Sequence, residues 1–184
     1  MKQWVLILAV WAITMFPCFA QSEIFSTNSG AITFFSSATL EDIEAKNDKA
    51  ISLINTRNNE IAVRVPIKQF QFRNRLMQEH FNENYMESEK YPHATFKGKI
   101  NEVIDFEKPG TYDVSATGTL SIHGVSQKRT LKGKIQVSES GLTLSTNFDV
   151  LLKDHKIKIP SIVFNKIAEK IAVSTTFSYS NQAK

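Results

Sequence analysis

The chain has 184 residues but only one cysteine, Cys18, and its two tryptophans, Trp4 and Trp11, also lie within the first 20 residues. A disulfide within one chain is therefore excluded, and a folded domain has to be held together by its core. After residue 20, no apolar run approaches the length of a transmembrane helix. The net charge of +4 is small and charges of both signs are interspersed, so a nucleic-acid-binding surface is not indicated.

Residues 1–20 have the pattern of a cleaved export signal. Lys2 provides a positive start, 4–16 is an apolar run, and Cys18-Phe19-Ala20 is a cleavage site of the small-x-small type. Cleavage there would leave a single domain at 21–184 with a net charge of +3, because Lys2 is the only charge removed. We therefore expect a periplasmic or secreted protein. An N-terminal membrane anchor and a lipid-modified cysteine are the alternatives.

The clearest structural pattern lies at residues 110–137. Between 112 and 122 every second residue is apolar or small and the others are polar, which is typical of a strand. His123-Gly124 breaks this pattern with residue types that suit a two-residue hairpin turn. Such a turn would pair Ala116 with Leu131 on one buried face. The first strand would span roughly 40 Å, which suits a tall, tilted barrel.

Similar alternation predicts strands on both sides of this hairpin. The predicted strands are 31–37, 40–46, 49–55, 60–72, 93–103, 142–150 and 171–179. Residues 22–30 are expected to be a loop or disordered, and Pro66 is expected to cause a bulge or mark an edge. Strands do not alternate with long helices, which argues against a parallel α/β sheet. A closed antiparallel barrel is the simplest arrangement that leaves no long edge exposed.

Residues 74–89 change to a helical period. Apolar and aromatic positions recur there every three to five residues, Asn74 can cap the start, and Tyr91-Pro92 closes the segment. We expect a short helix, or two helical turns, over one end of the barrel, the alternative being a solvated connection. The recurring positions are Leu76, Met77, His80, Phe81 and Tyr85.

Two motifs make the chain similar to a known family. Residues 80–96 contain Glu89-Lys90-Tyr91-Pro92 followed by Thr95-Phe96, and residues 118–131 contain Gly118 followed by His123-Gly124-Val125. In this order and separation they resemble the two signatures of the YceI-like, polyisoprenoid-binding family. The resemblance implies an exported, all-β, lipocalin-like antiparallel barrel of about eight strands with a short helical excursion. It also implies that a long isoprenoid or quinone-like lipid binds in an apolar pore.

The phases of the strands predict which residues face this pore. In-phase Gly98, Gly118 and Gly133, with Ala116, would leave space for a lipid chain, or else serve the curvature of the barrel. The phenylalanines would stack along a polyprenyl chain or form an ordinary aromatic core. The expected ligand-binding, pore-lining residues are Phe34, Val63, Val65, Phe70, Phe72, Phe81, Phe96, Gly98, Ile100, Tyr112, Ala116, Gly118, Leu120, Leu131, Gly133, Phe148 and Phe177.

Catalytic, cofactor and metal motifs are not found. The four histidines (His80, His93, His123 and His155) lack the partner spacing of a metal site, and there is no nucleophile elbow or phosphate loop.

Three polar features of the barrel have expected structural roles. His123 is expected to serve the turn or else to contact a ligand head group, and Glu87 and Glu89 to form a solvated helix end. The outward phase carries lysines that would discourage aggregation, with a possible transient contact to an anionic membrane surface. These lysines are Lys97, Lys99, Lys132 and Lys134.

The sequence therefore predicts a non-enzymatic barrel that binds an apolar amphiphile for storage or transport. Two alternatives remain open at this point. One is a ligand-free structural or partner-binding barrel with a packed interior, and the other is an envelope stress factor that acts through protein partners.

Overall fold

The computed structural model describes residues 24–37, 42–159 and 168–180. Every strand pairing in these residues is antiparallel, and β1 pairs with both β2 and β9, which closes the sheet into a barrel of eight long strands. A two-residue strand, β4, adds to the edge of β2. The strands are β1 (Ile24–Ser36), β2 (Ile43–Asn55), β3 (Glu60–Pro66), β4 (Gln71–Phe72), β5 (His93–Ile100), β6 (Gly110–Ile122), β7 (Val125–Ser138), β8 (Gly141–Leu151) and β9 (Lys170–Ser180).

The predicted all-β barrel with a short helical excursion is confirmed. The central hairpin also forms in the predicted register, with Ile122 opposite Val125 and Ala116 opposite Leu131. His123 and Gly124 have φ values of 51° and 71°, so both turn residues are in the left-handed region that a tight hairpin requires.

The helical excursion lies between β3 and β5. It begins with a 3₁₀ turn, Ile67–Gln69, and continues after β4 into α1 (Arg75–His80) and a π-helical turn, Phe81–Tyr85. Asn74 caps α1 as predicted, because its Oδ1 accepts a hydrogen bond of 2.9 Å from the Leu76 amide. The excursion starts and ends at one place, since the Ile67 amide donates to the Pro92 carbonyl at 2.9 Å.

Four predicted boundaries were wrong. Pro66 ends β3, because it has no amide for the ladder, so 60–72 is not one strand. β2 continues through Asn47, whose Oδ1 accepts from the Lys49 amide and whose Nδ2 donates to the Pro66 carbonyl, both at 2.8 Å. β1 already begins at Ile24 within the predicted loop, and β5 ends at Ile100 rather than at residue 103.

The two ends of the barrel differ. β1, β3, β6 and β8 all finish at one end, which we call the helical end because it carries the excursion and the His123-Gly124 turn. The opposite end carries the short connections after β2, β5 and β7, and we call it the closed end. Within the described residues no helix is long and apolar enough to cross a membrane.

The half of the interior towards the closed end is tightly packed. Ile54 and Ile135 have no exposed surface, and Tyr179 is 2% exposed. The Tyr179 hydroxyl and the Ser52 hydroxyl form a buried hydrogen bond of 2.6 Å. Burial raises the pKa of Tyr179 well above its usual value. Complete burial of side chains of this size contributes about 1.5–3 kcal/mol each, so this packed half is a main source of stability.

Candidate functional site

The half of the interior towards the helical end is hollow. It contains a cavity of about 450 Å³ with an almost entirely apolar wall. The cavity extends as far as Ile61 and Leu144, which lie opposite the packed Ile54 and Ile135. The wall is formed by inward-facing residues of the long strands, and the excursion contributes the rim. Leu76 on α1 borders the cavity and is also 56% exposed, so α1 lies between the interior and the solvent. A cavity of this size is within the usual range for sites that bind small molecules.

Four phenylalanines form a cluster at this rim. Phe34 lies on β1, Phe70 directly precedes β4, Phe72 belongs to β4, and Phe81 starts the π-helical turn. The ring centroids of the contacting pairs lie between 5.0 and 5.7 Å apart, in stacked, tilted and edge-on arrangements. Such aromatic pairs are stabilised by more than the burial of their surface alone. We call this cluster at the cavity rim the phenylalanine lip.

Most of the residues expected to face a pore border this cavity. They are Phe34, Val63, Val65, Phe70, Phe72, Phe81, Phe96, Ile100, Ala116, Leu120, Leu131, Gly133, Phe148 and Phe177. Most of them have the inward phase of a strand, whereas Phe70 lies just before β4 and Phe81 belongs to the helical stripe.

Gly98, Gly118 and Tyr112 do not border the cavity, and their expected role is corrected. Gly98 and Gly118 lie opposite each other on β5 and β6. A Cβ atom on Gly118 would stand 2.3 Å from the Lys97 carbonyl oxygen, and one on Gly98 would stand 2.7 Å from the Thr117 carbonyl oxygen. These glycines therefore let two backbones approach closely, and they do not create space for a ligand. Tyr112 lies towards the closed end and donates to the Lys108 carbonyl at 3.0 Å.

Several residues of the cavity wall were missed from the sequence. The helical stripe contributes four of them besides Phe81, and the strands contribute in-phase neighbours of the residues that were named. The stripe itself was the available signal, since it was already expected to cover one barrel end. The missed residues include Ile32, Ile61, Leu76, Met77, His80, Tyr85, Met86, Val114, Leu144, Val150, Ile157, Val173 and Thr175.

Polar groups are scarce in the cavity wall. Burial raises the pKa of Tyr85, which keeps its hydroxyl neutral. The Thr175 hydroxyl is buried, and no partner for it is found among the described residues. The wall therefore offers little to bind a charged group, because a charge moved from water into apolar surroundings loses its solvation.

His123 serves the hairpin turn and does not border the cavity. Its Nδ1 lies 3.2 Å from the His155 carbonyl oxygen, and its Nε2 lies 2.8 Å from the Glu87 carboxylate. The Tyr91 ring packs edge-on against it with a centroid distance of 4.6 Å. Glu87 is thus a hydrogen-bond partner of the turn rather than a free solvated helix end, and Glu89 contacts Lys68. These contacts attach the end of the excursion to the central hairpin.

The outward-facing lysines are exposed as predicted, and one of them, Lys134, pairs with Asp113 at 3.0 Å. Across the described residues, no three His, Cys, Asp or Glu side chains are grouped so that they could hold a metal ion. The site is therefore an apolar cavity with the phenylalanine lip at its rim.

The fold is shared with solved structures of low sequence identity. A polyisoprenoid-binding domain from Saccharophagus degradans, described as implicated in plant cell wall breakdown, superposes with a TM-score of 0.74 at 15% identity, covering 86% of this chain and 98% of that one. BcnA of Burkholderia cenocepacia gives 0.66 at 13% identity, with 80% and 94% covered. A Campylobacter jejuni YceI protein gives 0.56 at 18% identity, with both chains fully covered.

Comparison of sequences points the same way. No curated protein matches the chain. The family model of the YceI-like domain matches residues 18–179, which is nearly the whole chain and includes both motifs identified in the sequence. The chain belongs to the YceI-like family.

Proposed function

We propose that this protein binds one long-chain apolar lipid, of the isoprenoid or quinone-like class, in the cavity of its hollow half, for storage or transport. The observation that carries the proposal is a cavity of about 450 Å³ whose wall is almost entirely apolar. Membership of a family that includes a polyisoprenoid-binding domain supports it. The alternative of a fully packed barrel is disfavoured by the same cavity.

The energetics favour a slender hydrocarbon chain. Each methylene moved from water into the cavity contributes about 0.8 kcal/mol, and several are needed to offset the entropy lost on association. The phenylalanine lip offers flat apolar faces to the chain as it leaves the cavity. A role in binding rather than catalysis follows from the proposal, because the wall presents hydrocarbon and hardly any groups that transfer protons or activate a nucleophile.

Lipid binding can be tested by native mass spectrometry of the protein purified from its own host, followed by titration with geranylgeraniol. We expect a lipid to co-purify. Ala116→Phe should fill part of the cavity and reduce retention of the lipid, because Ala116 borders the cavity. Thr119→Phe, on the exposed face of the same strand, is the matched control.

The proposal fails if the wild-type protein carries no lipid and takes none up. It also fails if Ala116→Phe retains geranylgeraniol as well as the control does. A loss of thermal stability in Ala116→Phe alone, without a wild type that binds lipid, would instead favour a packed interior.

We also propose that residues 1–20 are removed on export and that the protein acts in the periplasm or outside the cell. This segment lies outside the described residues, and its sequence pattern supports the proposal. N-terminal sequencing of exported protein should begin at Gln21, and a mature chain that still contained Trp4 would contradict it. In such a compartment the exposed lysines are compatible with transient contact to an anionic membrane surface.

A further inference from the structure

The barrel wall has a break in its backbone pairing beside the cavity. β7 pairs with β8 from Ser138 up to Gly133, which lies opposite Thr146, and pairing stops there. Beyond that point residues 125–132 pair only with β6, and residues 147–151 pair only with β9. We call the gap between these two stretches, which do not pair with each other, the seam. Leu131, Lys132 and Gly133 all border the cavity, so the cavity reaches the wall where the seam begins.

Side chains close the seam in place of a hydrogen-bond ladder. Arg129 donates from Nη2 to the Asp149 carbonyl at 2.9 Å, and Gln127 donates from Nε2 to the Asp154 carbonyl at 2.9 Å. Nδ1 of the buried His155 lies 3.2 Å from the Val125 carbonyl oxygen. Each such contact is easier to break than a strand ladder, because it depends on one side chain and not on a row of cooperating backbone groups.

The seam also holds two cations that lack a carboxylate partner in the part of the chain that the structure describes. They are Arg129 and Lys132, and neither forms a salt bridge there. The carboxylate of Asp149 is occupied by Lys170 on β9 at 3.2 Å, so only its carbonyl group meets Arg129. A guanidinium has five N–H donors, and the contact to Asp149 uses one of them, which leaves the others able to bind an anion.

Arg129 shares the inward phase of β7 with Leu131 and Gly133, yet its guanidinium reaches into the seam. Arg129 does not itself border the cavity, but its guanidinium contacts the carbonyl group of Asp149. The neighbours of Asp149, Phe148 and Val150, do border it, so the positive charge lies close to a mostly apolar wall. Arginine binds phosphate and carboxylate groups through paired, charge-assisted hydrogen bonds. At the seam, where the wall has no backbone ladder, a lipid with its chain in the cavity can keep a charged head group near water.

We propose that the seam binds the anionic head group, a phosphate or a carboxylate, of the lipid whose chain occupies the cavity. Arg129 is the principal contact, and Lys132, which has the outward phase of β7, adds positive charge on the outer side of the seam. This inference rests on the proposed function and narrows its ligand class from apolar amphiphiles in general to anionic lipids.

The experiment compares the binding of geranylgeranyl phosphate and geranylgeraniol, which share one hydrocarbon chain, measured as retention of the tritiated compounds. The wild-type protein should prefer the phosphate. Arg129→Gln should reduce phosphate binding by about tenfold or more, as expected for loss of a hydrogen bond between charged groups, and leave alcohol binding within about twofold. Arg129→Lys should retain part of the preference. Lys134→Gln, on the same strand but paired with Asp113 away from the seam, is the matched control.

Each other outcome overturns the inference. If Arg129→Gln weakens both ligands equally, Arg129 supports the wall and does not bind the head group. If His80→Gln removes the preference instead, the head group lies beside α1. If inorganic phosphate competes as well as geranylgeranyl phosphate, the seam is a free anion site. If the wild type binds the alcohol with no preference for the phosphate, only this inference fails, whereas a wild type that binds neither removes the proposed function as well.

Discussion

The packed and hollow halves of the interior are built from the same strands but from side chains of different size. Towards the closed end, the inward positions carry Ile54, Ile135 and Tyr179, whose large side chains are almost completely buried. Towards the helical end, the small Ala116 takes an inward position beside the cavity. Each strand runs through both halves. The packed half therefore fixes the register of the same strands that surround the cavity. The packed residues and the cavity therefore lie towards opposite ends of the barrel axis.

The largest effect should come from a pair of truncations on one face of β7. Ile135→Ala opens a cavity in the packed half, where Ile135 is fully buried, and should lower the free energy of unfolding by about 2–5 kcal/mol. Leu131→Ala, four residues earlier, enlarges a cavity that already exists beside a half-buried side chain, so we expect a clearly smaller loss. Urea denaturation of both variants measures the difference. Equal losses would show that the two halves do not differ in packing.

A second test concerns glycine at the close approach of β5 and β6. Gly118→Ala should destabilise the protein by about 1–3 kcal/mol, because the new Cβ would meet the Lys97 carbonyl oxygen at 2.3 Å and force the strands apart. Gly110→Ala on the same strand is the control, since its Cβ would meet only the Tyr112 ring at 3.7 Å or more. Thermal melting compares the two. Unchanged melting of Gly118→Ala would mean that these strands separate without cost.

An effect of similar size at neutral pH should come from Tyr179→Phe, which leaves the buried Ser52 hydroxyl without its partner at a cost of about 1–3 kcal/mol. The wild type should show a further dependence on alkaline pH. Burial raises the pKa of Tyr179 in the folded state, so its contribution is complete below the unfolded pKa of about 10 and is lost as the pH rises above that value. Tyr179→Phe should remove this alkaline loss. Denaturation curves measured from pH 8 to 11 would show it, and parallel alkaline losses in both proteins would assign the effect to other groups.

The sequence predicts the central hairpin and the inward phases well, because a strand pattern of period two is local and the turn residues are specific. It predicts element ends poorly. In the sequence, Asn47-Asp48 has the pattern of a turn. In the structure, the Asn47 side chain donates a hydrogen bond to the carbonyl of Pro66, the last residue of β3, and β2 continues through this point. The polar stretch before Ala31 looks like a loop, but it pairs with the far end of β2.

The parts of the site that escaped prediction depend on contacts between strands. In-phase glycines look alike in a sequence whether they give space or close approach. The structure distinguishes the two cases, because a Cβ atom on Gly98, Gly118 or Gly133 would stand between 2.3 and 2.7 Å from a carbonyl oxygen of the neighbouring strand. The seam has no local pattern either, because β7 and β8 both continue regularly past the point at which their pairing stops. Phe81 was identified through the helical stripe, whereas the rest of the stripe was not assigned to the cavity.

The hydrogen bond between the Ile67 amide and the Pro92 carbonyl has a consequence for how this barrel can diversify. It closes the excursion at its base, so the chain enters and leaves at one point while β3 and β5 stay paired next to it. Phe70, Phe81 and Met86 at the cavity rim all belong to this one loop. Loops with joined ends tolerate insertion and exchange. Ligand preference can therefore be altered, by evolution or by grafting a loop, through a single continuous segment while the strand register is inherited unchanged.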